Sequence, residues 1–596
     1  MKRRIFCVLL AAALLLSGCA AQTSESHEAE TPPVDSGTIA YVPLDDRPDN
    51  VERVVYLAES LGYTLEMPDA DWYQTKLDGQ PRNGNGTQYG DMAALYEWVL
   101  EQEAAGCDRY ILSLDQLLSG GLVNSRHTAE TLAVKLSDGT GLVDTELLEG
   151  LLTALAADGN NRVWLLDSVM RLAPTCGYTG FGLEEYNALR AYGAEPRPEL
   201  TGDGLTVGNI VADYRLGGDG TALELWDFGL TAAQVDAYLA ARERKLRLAE
   251  KMLETVQGRG YQNFRVLIGI DDSSAEDSIQ KNEIAYLRSL LREGDALLAG
   301  VDDLAFKAVT RLYLEETGWE GAAVSVSYYG GTENRPACDY DSQPLTEVVE
   351  EHMDFFGLRR AAGADEVDIH ILVLTQPAEA DVKSSYYEAL IRKLKENQEQ
   401  GTPTVLIDAG NNAYGTAFHD ALVKECGLGW LLSYSGFLDM AIVTGTALSH
   451  GVARYAWLAN GNGGDPEANR AFRKSLTESV VLDFCYRNTV RDDLSAYVRQ
   501  QGGDPNNFYA PAIDTEAVRQ RLGEGMERST KDVLKNLSHS NLIVSLSAEG
   551  ADAWAGWGQV SLSDWSFPWQ RVFEVRMEVQ VNDLTKPHKS ILGFTF

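Results

Sequence analysis

The sequence is poor in the residues that mark the commoner metal and redox chemistries. Its seven cysteines stand far apart in 596 residues, with no Cys-x-x-Cys pair, which excludes a zinc ribbon and a disulfide framework. Eight scattered histidines include no His-Glu-x-x-His run, which disfavours a zinc hydrolase. Walker and dinucleotide fingerprints are missing too; the glycine-bearing stretch Ser119–Arg126 offers backbone N–H groups but has the spacing of neither. Basic residues are short: 51 Lys and Arg face 88 Asp and Glu, a net charge of −37. Such a chain repels phosphate backbones, so nucleic acid is not an expected partner. The apolar run Ile5–Leu16 falls short of the ~20 residues that a membrane span needs.

That run belongs to a targeting signal. Lys2, Arg3 and Arg4 precede it, and Leu16-Ser17-Gly18-Cys19 follows it. The pattern resembles a bacterial lipoprotein signal, with residues 1–18 removed and lipid placed on the Cys19 thiol. The expected location is extracytoplasmic, lipid-anchored to the bacterial cell membrane. Residues 19–36, rich in Ser, Thr, Glu and Pro, suit a flexible tether. Cys107, Cys176, Cys338, Cys426 and Cys485 then remain, expected mostly as buried free thiols.

Hydrophobic residues at 44% and charged residues at 23% are ordinary globular values. From Ile39–Val42 to Trp430–Ser433, ten short β-rich runs alternate with longer helical patterns. That alternation predicts an α/β fold with parallel strands, as a β/α barrel or as doubly wound sheets. Ten strands exceed a barrel's eight, so residues 37–459 have room for two α/β units. The Gly/Asn-rich stretch Asn460–Pro466 marks a boundary. Beyond it, 467–596 reads as a helical region with a small β element, including helices over 471–501 and 515–537 and a strand over 571–581.

Acidic residues collect where the strand candidates end: Asp45-Asp46-Arg47, Asp115, Asp167, Asp271-Asp272, Asp302-Asp303 and Asp408 with Asn411. In parallel α/β folds these ends share one face, so the loops would line a carboxylate-rich cleft. Capping of the following helices would also explain any single aspartate. Neighbouring side chains on a strand point to opposite faces, so one member of each Asp pair is expected to face a substrate. Two close carboxyls split their pKa values into an acid and a base, which suits glycosidic bond cleavage. Asp271 and Asp272 lead as catalytic candidates, with Asp45 and Asp46 assisting. Arg47, Asp115, Arg126, Arg171, Asp302 and Asn411 are the substrate-binding candidates. Arg47 could equally form a local ion pair with Asp45 or Asp46. No cofactor is predicted, although carboxylates beside Asn oxygens suit Ca²⁺ or Mg²⁺. Trp554, Trp557, Trp565 and Trp569 read either as sugar-binding faces or as the core of a terminal domain.

Several motifs together resemble one family. Tyr41-Val42-Pro43-Leu44-Asp45-Asp46-Arg47-Pro48 is similar to the opening signature of the bacterial domain of unknown function 4127 family. Ser119-Gly120-Gly121-Leu122 with Ser125-Arg126, Met170–Pro174 and Pro568–Glu574 resemble its later segments in the same order. Gly436-Phe437-Leu438-Asp439 departs from the Gly-Trp-Asn-Thr run usual there. The resemblance implies no activity.

The residues therefore lead to an extracytoplasmic hydrolase that cleaves glycosides with paired aspartates, acting on carbohydrate or another small polar substrate. A non-catalytic surface protein that binds glycans or solutes, and a metal-dependent hydrolase, are the alternatives.

Overall fold

The computed structural model describes residues 33–363, 366–437, 439–509 and 512–588. Cys19, residues 1–18 and most of the tether lie outside the described residues.

Strands that are apolar on both faces must be buried on both, and such strands form the centre of two parallel sheets. The first holds β1 (Gly37–Val42), β2 (Tyr63–Glu66), β3 (Arg109–Ser113), β4 (Arg162–Val169), β5 (Phe264–Ile270) and β6 (Ala296–Ala299), in the order β2-β1-β3-β4-β5-β6. The second holds β7 (Ala322–Tyr329), β8 (Leu358–Arg360), β9 (Ile369–Thr375), β10 (Thr404–Ala409) and β11 (Ser433–Gly436), in the order β8-β7-β9-β10-β11. All pairings within both sheets are parallel. These are open, doubly wound sheets rather than a barrel. Both repeat one winding: second strand, first, third, then outward. Each therefore reverses direction between its first and third strands, where loops diverge and leave a crevice.

Alternation within β1 shows how the layers form. Ile39 and Tyr41 join one core, while Ala40 and Val42 join another. The Ala40/Val42 face is covered by helices Met92–Ala104, Asp144–Leu155 and Ala232–Gly258. The Ile39/Tyr41 face meets helices Glu52–Glu59 and Leu304–Glu316. Leu304–Glu316 packs in turn on Met440–Ala459, a helix that lies against β10 and β11. Two helices are thus sandwiched between the sheets, and one continuous core joins the units. Burying a Leu or Phe in such a layer stabilises by about 1.5–3 kcal/mol.

The C-terminal region closes over the same core. Asp465 accepts from the Glu467 and Ala468 N–H groups and Pro466 opens the helix Pro466–Ser479, which packs on Glu52–Glu59. That helix runs on through a π-helical segment, Val480–Val490, into Arg491–Gln500. Helix Thr515–Ser538 and two antiparallel pairs follow, β12 (Asn541–Ile543) with β13 (Trp554–Gly556) and β14 (Val560–Ser566) with β15 (Arg576–Val581). Trp557 and Trp569 are buried, and Trp554 and Trp565 pack partly buried against the core, so these indoles are structural rather than a sugar platform. All five cysteines among the described residues are unpaired; Cys426 and Cys485 are buried, and the other three are half-buried instead of enclosed. No described helix is long and apolar enough to cross a membrane.

Candidate active site

The loop after β1 divides its two aspartates. Asp45, fully buried, accepts from Arg47 Nε at 2.9 Å, Arg47 Nη2 at 2.7 Å and Asn50 Nδ2 at 3.0 Å. Arg47 then reaches across to the loop after β6, donating to Asp302 through Nη1 at 3.0 Å and Nη2 at 2.5 Å. Its guanidinium carbon lies 5.0 Å from the centre of the Trp569 ring. Asp46 turns the other way and accepts from Trp569 Nε1 at 2.7 Å and the Thr75 N–H at 3.2 Å. Burial pushes its carboxyl up to about 6, against the pull of those bonds. Burial likewise raises Asp302, with Arg47 opposing.

The loop after β5 divides in the same manner. Asp271 is 2% exposed and is held by Arg126, with Nε at 2.9 Å and Nη2 in closer contact. Asp272 points toward the crevice and takes Arg171 Nη1 at 3.2 Å. The two arginines converge on Thr175 Oγ1, Arg126 at 2.9 Å and Arg171 at 3.2 Å. Burial and the Arg171 charge both lower the Arg126 pKa, and the charges of Asp271 and Asp272 oppose them.

Two further carboxyls come from the second unit. Asp439, after β11, occupies the N-cap position of helix Met440–Ala459 yet makes no capping bond. Asp341 caps instead, accepting from the Met440 and Ala441 N–H groups at 3.3 Å each. Asp439 is thereby left free of the cap and lines the same pocket as Asp272. Burial, and then the charges of Asp272 and Asp341, hold Asp439 well above the usual carboxylate range. Asp341 is also raised, chiefly by burial.

Asp271, Asp272, Gly300, Tyr340, Asp341 and Asp439 line one pocket at the junction of the sheets. Gly300 has a φ of +93°, and a Cβ there would stand 2.8 Å from Asp303 Oδ1, so glycine alone lets the chain turn along this wall. Asp45, Asp46, Arg47 and Asp302 lie outside the lining; Arg47 bonds Asp302, whose charge Asp439 feels, while Asp46 is turned away toward Trp569. Asp115 sits beneath, 3% exposed, bonded to Ser168 Oγ at 2.6 Å and to Lys245. Lys245 also stands 3.7 Å from Asp167, a carboxyl that burial raises to about 6. Asn411 belongs to the second unit, exposed in the loop after β10 with a φ of 43°, and takes no part in this pocket. The Gly120 and Gly121 N–H groups are spent on Gln116 and Asp115 carbonyls and offer nothing to a ligand. Among the described residues, no three His, Cys, Asp or Glu side chains are grouped to hold a metal ion.

Sequence reasoning missed Asp341 and Asp439. Asp341 belongs to no motif. Asp439 carries a trace, because the Gly436–Asp439 run is where the chain leaves the pattern it otherwise resembles.

A family model described as a protein of unknown function (DUF4127) matches residues 39–197 and 219–578. No curated protein and no solved structure matches the chain.

Proposed function

We propose that this chain, which belongs to the DUF4127 family, is an exported, lipid-anchored hydrolase that cleaves glycosides at the junction of its two sheets. The observation that carries the reading is that Asp272 and Asp439 line one pocket flanked by arginine. Asp439, whose carboxyl burial and the Asp272 charge raise, would serve as the general acid, and Arg171 holds the carboxyl that would serve as the base.

The chemistry follows from those roles. A glycosidic oxygen entering the pocket would accept the Asp439 proton as its C–O bond breaks. Asp272 accepts the proton of the water that attacks the anomeric carbon. The attack delivers one hydroxyl to the sugar, and the acid's proton leaves on the departing alcohol, so the pair ends with its proton exchanged between members. In glycosidases the two carboxyls stand ~5–9.5 Å apart, farther than a direct hydrogen bond allows. Substrate would therefore have to stand between Asp272 and Asp439. Arg126 and Arg171 would orient hydroxyl or acidic groups on the sugar.

Release of reducing ends from a panel of cell-wall and environmental glycans tests the reading. Turnover on at least one glycan, unchanged by chelator, supports it. A chain that binds glycans and cleaves none is a binding protein instead, and turnover lost to chelator assigns a metal-dependent reaction. The anchor rests on the leader ending at Cys19. Replacing Cys19 with Ala should stop incorporation of labelled fatty acid; equal incorporation would refute it.

A further inference from the structure

The second sheet carries a polar constellation of its own, beside a cavity that shares no lining residue with the Asp272 pocket. At the carboxyl end of β10, Asp408 Oδ2 accepts from His419 Nε2 at 2.9 Å and from the Tyr434 hydroxyl at 3.1 Å. The other ring nitrogen of His419 meets the side-chain amide of Asn488 at 2.7 Å. Asn488 is 7% exposed, and the far end of its amide has no protein partner. Turning the amide over does not help: one end always faces His419 and the other stays unbonded. A buried polar atom left so is costly, and it calls for a partner that the protein itself does not provide.

A cavity of about 630 Å³ opens over these groups, within the range of small-molecule sites. Its floor includes His419, Phe484, Asn488 and Val533. Phe484 and Asn488 stand four apart on the π-helical segment Val480–Val490, a rare geometry that in other proteins marks functional sites. At the mouth stand Lys424, Arg528 and Lys535 against Asp420 and Asp532. A local excess of positive charge is unexpected in a chain of net charge −37.

We infer that this cavity is a second ligand site, for a small hydroxylated organic acid of the sugar-acid class. The carboxylate lies among the Lys and Arg side chains of the mouth. A hydroxyl donates to Asn488 Oδ1, since the amide NH2 is held by the unprotonated Nδ1 of His419. Phe484 and Val533 provide an apolar wall for the C–H face of the ring. The site stands apart from the glycoside-cleaving pocket and does not depend on it.

Calorimetric titration of the full chain with glucuronate, glucose and acetate tests the inference. Glucuronate should bind saturably and more tightly than either control. Asn488→Leu should weaken it about tenfold or more, the cost of one lost bond to a buried group. Arg528→Ala changes an exposed residue, leaves the fold intact and should weaken glucuronate but not glucose. Asp439→Asn should leave glucuronate binding as it is. No saturable glucuronate binding overturns the site, and so does binding that both Asn488→Leu and Arg528→Ala leave unchanged. Equal affinity for glucose overturns the ligand class. Binding abolished by Asp439→Asn and kept by Arg528→Ala moves the ligand to the first pocket.

Discussion

Asp272 and Asp439 line one pocket although each leaves a different sheet. Asp272 follows β5 of the first unit and Asp439 follows β11 of the second, so the pair exists only when the units are docked. Asp272→Asn and Asp439→Asn should each lower turnover by roughly 10²–10⁴-fold, the usual worth of a general acid or base. Asp439→Asn should not lower the melting temperature, and Asp272→Asn, which loses a partly exposed pair with Arg171, should lower it only slightly. Asn keeps a hydrogen-bonding shape at both positions, and at Asp439 it removes a carboxyl whose charging costs stability.

Asp271 should behave differently from its neighbour. It is the buried counter-ion of Arg126, so Asp271→Asn leaves a guanidinium uncompensated. Breaking a buried pair this way costs about 3–5 kcal/mol. Thermal melts should show Asp271→Asn strongly destabilised, and Asp271→Asn combined with Arg126→Met should recover part of the loss. An Asp271→Asn variant as stable as wild type would show that Arg126 does not need the charge.

Asp46 offers a pH test. Its folded-state pKa, about 6, is raised above the ordinary 3.8. Its contribution to stability is fully present below the ordinary value and is lost as pH rises through 6. Asp46→Asn keeps acceptors for Trp569 and Thr75 without that loss. The stability difference, variant minus wild type, should therefore grow between about pH 4 and 6 and level off at up to about 3 kcal/mol. Denaturant titrations at pH 4 and pH 7.5 measure it; a difference that does not change with pH contradicts the burial argument.

The parallel α/β architecture was legible because strands buried on both faces leave unbroken apolar runs. Ile39–Val42 and Ala296–Ala299 lie within or match observed strands. Two features were not legible. Leu358–Arg360 is a three-residue edge strand with two exposed residues, so it leaves no apolar run. The expected strand Trp430–Ser433 falls too early: Leu428–Trp430 is a 3-10 turn and β11 starts at Ser433, because small buried Ser and Gly residues carry no strand signature. The same limit governs the site. The Asp pairs of the first unit could be seen at strand ends, but their division between Arg126, Arg171, Trp569 and Arg47 depends on residues up to 523 positions away. Asp439 could not be identified at all, since its role comes from Asp341 taking over the helix cap.

The most direct test of the account is the pH profile of kcat on a cleaved glycan for wild type, Asp272→Asn and Asp439→Asn. A bell-shaped wild-type profile is expected, its acid limb reporting the base and its alkaline limb the acid. Asp439→Asn should remove the alkaline limb and Asp272→Asn the acid limb, each with a large fall in the maximum. Profiles in both variants that match wild type in height and shape would contradict an acid–base pair at the junction of the sheets.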